Sequence, residues 1–348
     1  MSVASHAKVV LAVPSNSAKL AAKAQHLPAV GLVAQSSFSS FTCACATNNA
    51  ASPSSISPIV TTSPQWAGFA ERVSGEWDGF GAEFSGDGTA IHLPESVVPD
   101  AFREWEVEVY DWQTQCPTLA NPDSLHISYQ TIKLLPTVGC EADAATRHTV
   151  IDHNPTADAL AFAYNSSGSY IAVWPIPGSS RQLQIEHCLV KPTDRESRTR
   201  IIQTIDSAQM KLRRISIFSE LWYGPFRNGD QLGGCAIGNS AFASTPSLDG
   251  SLVTGTWHGH TTSASFSWPG QVPYKELAEG CDFKSVRDGR NLVLLPRGVW
   301  CSLSKGSGQE AKCEVGWLFD SQSSITSSCI FSADSKLKKI SLAQEFMN

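Results

Sequence analysis

One pattern constrains this chain more than any other: its second part repeats its first. Gly75-Glu76-Trp77-Asp78-Gly79 is echoed by Gly255-Thr256-Trp257-His258-Gly259, and each is followed by Phe-Ser (Phe84-Ser85, Phe266-Ser267). Leu134-Leu135-Pro136 returns as Leu294-Leu295-Pro296. Leu212-Arg213-Arg214-Ile215-Ser216, followed by Glu220, returns as Leu337-Lys338-Lys339-Ile340-Ser341, followed by Glu345. Three landmarks in one order argue for two copies of a single unit, and such a repeat governs every later assignment of fold.

The repeated segments read as strands. Trp105, Val107 and Val109 alternate with Glu104, Glu106 and Glu108, the period of a half-buried strand over 104–112. Further strands are expected at 125–135, 169–175, 182–190 and 213–222. In the second copy they fall at 251–258, 262–268, 291–295, 311–319, 325–331 and 337–345. Asn165-Ser166-Ser167-Gly168 and Arg287-Asp288-Gly289-Arg290 are hairpin-like turn signals. Long helical periodicity is largely absent, and residues 65–73 supply one short helix. Many short strands mean a sandwich or a barrel. The Gly-x-Trp motif selects the barrel, where Gly permits a sharply coiled strand and Trp plugs the closed end. The expected fold is all-β: two tandem antiparallel up-and-down barrels over 65–225 and 226–348, the second smaller.

Residues 1–64 are a different kind of sequence. No Asp or Glu precedes Glu71, whereas Ser, Ala and Thr are abundant and three Lys supply the only charge. That composition reads as a disordered transit peptide and linker. Its lack of Arg favours the chloroplast, with the stroma as destination; an ordinary N-terminal tail is the alternative. Cleavage is expected near Thr42-Cys43-Ala44-Cys45-Ala46. The net charge of −6 argues against a nucleic-acid surface, which needs clustered Lys and Arg. No apolar run reaches the roughly 20 residues of a membrane-spanning helix, so an integral membrane protein is not expected. The Cys residues show no Cys-x-x-Cys spacing beyond the leader, which argues for buried thiols rather than a zinc ribbon.

A short helix, a Gly-x-Trp motif and a meander ending in a Glu-bearing strand resemble the calycin superfamily of lipocalin-like barrels. The chain is most similar to a two-barrel calycin family of unknown function in cyanobacteria and plastids, distantly like the phycobiliprotein lyases. The segments carrying the resemblance are Gly75-Glu76-Trp77, Gln184-Ile185-Glu186-His187, Arg198-Thr199-Arg200 and Leu221-Trp222-Tyr223-Gly224-Pro225. In the second copy they are Leu294-Leu295-Pro296-Arg297-Gly298 and Glu314-Val315-Gly316-Trp317-Leu318. The resemblance implies a bound bilin or other tetrapyrrole, with Glu186 meeting pyrrole nitrogens and Arg198 and Arg200 meeting propionates.

A hairpin after Glu186 would bring its carboxylate to Arg198 and Arg200, whose planar guanidinium groups suit carboxylate recognition. A surface ion pair is the bland alternative. Glu314 keeps the acid in the second copy, but the two Arg positions match about Thr326 and Ser328, so the first copy better suits an acidic ligand. Trp77, Trp105, Trp257 and Trp317 are candidate walls for an apolar ligand; equally, tryptophans can simply fill a small barrel. His258-Gly259-His260 offers half a metal site without a third ligand. Three functions remain open: a plastid carrier of a small hydrophobic ligand such as a tetrapyrrole, carotenoid or fatty acid; a lyase or isomerase with Glu186 as proton donor; or an assembly module acting on a plastid protein partner.

Overall fold

A computed structural model describes residues 62–138, 146–194, 196–230, 242–267, 273–306 and 310–347. All of them belong to one compact unit, Pro58–Asn348. Cys43, Cys45, Cys140, Cys235, Trp268 and residues 1–61, which hold almost all of the expected transit peptide and linker, lie outside the described residues.

Ten strands of the first copy follow one another: β1 (Glu76–Ser85), β2 (Asp111–Gln115), β3 (Thr118–Asn121), β4 (His126–Leu134), β5 (Arg147–His153), β6 (Ala161–Tyr164), β7 (Tyr170–Ile176), β8 (Ser179–Val190), β9 (Ser197–Asp206) and β10 (Lys211–Gly224). The second copy supplies β11 (Gly255–Ser265), β12 (Tyr274–Glu276), β13 (Ala278–Arg287), β14 (Leu292–Leu294), β15 (Val299–Lys305), β16 (Ala311–Leu318), β17 (Ser323–Phe331) and β18 (Leu337–Met347). Helices are few and short: α1 (Pro64–Val73), α2 (Asp100–Glu104) and α3 (Pro155–Asp158), with isolated single turns.

The strands form two sheets of up-and-down order. The eleven-stranded sheet runs β12-β6-β7-β8-β9-β10-β1-β2-β4-β3, with β5 on β4. The seven-stranded sheet runs β13-β11-β18-β17-β16-β15-β14. Among the described residues neither ladder joins its own two edges. In the first sheet the seam between β5 and β6 is crossed by α3. In the second, residues 288–291 link the two outermost strands, so this turn closes a seam rather than a hairpin.

The chain does not keep its copies apart. β12 leaves the second and pairs in parallel with β6 of the first, Tyr274 opposite Phe162 and Glu276 opposite Tyr164. The sheets also share one apolar core through their outward faces. Ile171, Ile185, Ile201 and Ile217 of the first meet Cys313, Val315, Ile325, Cys329 and Ile340 of the second, all at most 2% exposed. Period 2 explains the arrangement: alternate residues of β8 and β9 go to this shared core, and the others go to the inside of the first sheet.

Two expectations are corrected. Residues 104–110 are not a strand: α2 ends at Glu104 with Trp105 as its C-cap, and Glu106 adopts a left-handed conformation (φ 54°), which breaks the alternation. Trp105 is consequently 60% exposed and Val107 46%, with the strand starting only at Asp111. The strands expected at 251–258 and 262–268 are one strand, β11.

Candidate functional site

The repeat builds one device twice. Gly79 pairs with Glu220 across β1 and β10, and Gly259 pairs with Glu345 across β11 and β18. A Cβ on Gly79 would stand 1.9 Å from the Ser219 carbonyl oxygen, and one on Gly259 2.0 Å from that of Gln344. Only glycine lets the strands approach so closely, and the approach turns each glutamate inward beside the tryptophan two residues upstream of the glycine. Trp77 Nε1 donates to the Val73 carbonyl at 2.9 Å, and Trp257 Nε1 to that of Val253 at 2.8 Å. A guanidinium completes each set. Arg198 lies 4.2 Å over the Trp77 ring and donates through Nε to Glu220 at 2.6 Å. Arg287 lies 5.4 Å over Trp257 and donates to Glu345.

In the first copy this device is sealed. Glu186 on β8, Arg198 and Arg200 on β9 and Glu220 on β10 point to the same interior, each at most 1% exposed. The expected hairpin forms, with Cys188 opposite Arg200 and Val190 opposite Arg198. Arg200 donates to Glu186 at 3.0 Å and to Glu220 at 3.0 and 3.1 Å. The Tyr129 and Tyr170 hydroxyls and Trp174 Nε1 also donate to Glu186, Tyr170 at 2.9 Å and Trp174 at 3.1 Å. Two carboxylates thus balance two guanidinium groups, and nearly every lone pair is taken. Burial pushes the Glu186 carboxyl up, but Arg200 and the tyrosine hydroxyls outweigh it and hold the group below the usual carboxylate range. Above them sits α1. Ser63 caps it by accepting from Trp66 N, Pro64 occupies the first position, and Trp66, Phe69, Ala70 and Val73 form its buried face. Trp66 and Phe69 pack on Tyr164, and Trp66 Nε1 donates to the Asn121 carbonyl at 2.7 Å.

The second copy is open. Strand pairing sets Glu314 opposite Ser328 and Glu345 opposite Ser324. The residues standing where Arg198 and Arg200 stand are therefore Ser324 and Thr326, not Thr326 and Ser328. The cause is the turn: residues 191–197 separate the paired Val190 and Arg198, whereas 319–323 separate Leu318 and Ser324, two residues fewer. No arginine comes from β17, and Arg287 reaches in from the end of β13 instead. With one guanidinium where the first copy has two, burial dominates and the Glu345 carboxyl is pushed up despite Arg287. A cavity of about 310 Å³ opens at the seam, lined by Arg287, Arg290, Trp300, Ser302, Ser304 and Glu314 among others. Glu314 is engaged by Lys312 at 2.6 Å.

Of the expected site residues, Glu186, Arg198, Arg200 and Trp77 come together inside the first sheet, and Trp257 and Glu314 belong to the inner face of the second. Trp317 does not: its neighbours Cys313 and Val315 share its face, and it packs on the shared core beside Phe319. Trp105 lines neither interior. Glu220, Tyr129, Tyr170, Arg287 and Trp300 escaped the sequence reading as site residues. The recurrence of Glu220 as Glu345 was the one signal that marked any of them. His258 and His260 lie on the exposed face of β11, His260 Nδ1 3.3 Å from Asp282. Among the described residues no group of three or more His, Cys, Asp or Glu is placed to hold a metal ion, and no helix is long and apolar enough to cross a membrane.

These features define a duplicated all-β protein whose two curved meanders pack back to back, each carrying a tryptophan–arginine–glutamate set on its inner face. The same overall fold occurs in a crystal structure of a DUF3598-family protein of unknown function from the cyanobacterium Nostoc punctiforme: TM-score 0.50, 13% identity, over 82% of this chain and 100% of that one. No protein-family model and no curated protein matches the chain.

Proposed function

We propose that this chain is a non-catalytic plastid protein that binds a small organic ligand on the inner face of its second sheet. The cavity of about 310 Å³ at the β13–β14 seam carries this reading, since it reaches the lower end of the volumes typical of ligand sites. The calycin and lyase resemblance directs attention to the first copy, but there Glu220 engages both Arg198 and Arg200, and Glu186 engages Arg200, beneath the aromatic face of α1; of these groups Arg198 Nη1 lacks a partner among the described residues. A tetrapyrrole or carotenoid would have to displace that network, whereas a short fatty acid or a similarly sized molecule fits the second copy as it stands. A proton-donor role for Glu186 is disfavoured, because general acids are poised by a raised pKa and this one is lowered.

Titrating the purified full chain with haem, biliverdin and short-chain acids, while following visible absorbance and tryptophan fluorescence, tests the reading. Small ligands should change fluorescence, and pigments should give no band shift. A pigment shift abolished by Arg198→Met would return the site to the first copy. Silence with every compound would favour the second reading, an assembly module, for which the self-satisfied interior of the first copy speaks. A fluorescent protein fused after residue 64 should enter chloroplasts, and cytosolic fluorescence would remove the plastid assignment.

A further inference from the structure

We propose that the cavity of the second sheet is a seat for a monocarboxylate, held by Arg287 and Trp300; this rests on the binding reading above. Two buried donors line it without a partner among the described residues, Arg287 Nη1 and Trp300 Nε1. Trp300 is fully buried and the Arg287 side chain is 8% exposed. The guanidinium carbon lies 4.6 Å from the Trp300 ring centre, so the two unpaired N–H groups belong to side chains in direct contact on one wall of the cavity. A buried N–H left without an acceptor is costly, and two side by side ask for a group with two acceptor atoms.

The surrounding charges select among such groups. Glu345 is bound to Arg287, Glu314 to Lys312, and at the rim Asp288 to Arg290. Each cation is already balanced, and two carboxylates stand close by, which disfavours a dianion such as phosphate. A monoanion with two equivalent oxygens takes one N–H per oxygen, with the hydroxyls of Ser302 and Ser304 available beside it. Leu292 offers an apolar wall for the rest of the molecule. The first copy differs in its second donor: Arg198 Nη1 also lacks a partner there, but Tyr170, which stands opposite Cys188 where Trp300 stands opposite Gly316, spends its hydroxyl on Glu186. Gly316 matters as well, because a Cβ there would fall 2.2 Å from the Trp300 indole.

The test uses the full chain labelled with ¹⁵N and compares sodium hexanoate and benzoate with hexanamide, benzamide and inorganic phosphate. The Trp300 indole N–H resonance, assigned by its loss in Trp300→Phe, reports the site. The carboxylates should shift it and bind at least about fivefold tighter than their amides, as expected for a charge-assisted pair. Followed by backbone amide shifts, which survive the loss of the indole, Trp300→Phe and Arg287→Lys should each weaken the carboxylates about three- to tenfold and leave the amides unchanged. If Arg287→Lys fails to fold, Trp300→Phe alone decides. Equal binding of acid and amide, or tighter binding of phosphate, would overturn the carboxylate seat and leave a binding cavity standing. A ligand that moves only other tryptophans would overturn the seat and place binding elsewhere. No binding at all would remove both proposals.

Discussion

At the residue scale, the first interior is an ion network held by mutual satisfaction. Removing one partner of a buried pair leaves an uncompensated charge at a cost of about 3–5 kcal/mol, far more than the pair itself contributes. Arg200→Met should therefore lower the urea-unfolding free energy by roughly that amount. Adding Glu186→Gln should recover part of it, since the amide needs no counter-charge; no recovery would mean that Arg200 acts through packing alone. A second residue gives a pH signature. Asp78, 2% exposed on the outer face of β1, is pushed up to about 6 by burial, with Glu76 and Glu220 adding to the push. Its folded pKa exceeds its unfolded one, so the folded state favours the protonated form. Stability from this group is full below about pH 4 and is lost as pH rises towards 6. Asp78→Asn should thus raise the unfolding free energy at pH 8, by up to about 3 kcal/mol, and change little at pH 3.5. A pH-independent effect would sink the assignment.

At the element scale, α1 is the stopper of the first sheet, and its largest contact is Trp66. Trp66→Ala should cost about 3–5 kcal/mol in chemical denaturation and reduce the near-ultraviolet signal of Tyr164, which meets the indole edge to face. A loss below about 1 kcal/mol would show that the sheet closes without the helix. The sequence placed a short helix at 65–73, and the structure starts it one residue earlier, at Pro64 behind the Ser63 cap. The Glu186 to Arg200 hairpin was legible from a period-2 pattern on both sides of a polar turn. The strand at 104–112 was misread because alternation does not register a single left-handed residue, Glu106. The registers of Ser324 and Thr326 were misjudged because counting along the chain ignores turn length. Arg287 was hidden because it lay inside a turn signal, and nothing local says that a turn will join the two edges of a sheet.

At the scale of the whole molecule, the shared core predicts one unfolding event. Isoleucines of the first sheet bury themselves against valine, isoleucine and cysteine of the second, and polar contacts cross the join. His187 Nδ1 lies 2.9 Å from Ser327 Oγ, and Ser335 Oγ donates to the Ser207 carbonyl at 2.7 Å. Burial pushes His187 down to about 3, so this contact involves a neutral ring. Far-ultraviolet circular dichroism and tryptophan fluorescence of the full chain should trace the same denaturation curve, and two separated transitions would show independent halves. Duplication could be read from the sequence, but back-to-back packing could not, because an apolar strand face does not state which partner covers it.

The loan of β12 has a consequence for any gene rearrangement. Leu277 N donates to the Tyr164 carbonyl at 2.9 Å and Phe162 N to that of Pro273 at 2.6 Å, so the three-residue strand caps what is otherwise a raw sheet border. A first half expressed alone would present that border to other chains, inviting sticky self-pairing. Lineages carrying this latch are thereby bound to inherit both halves together.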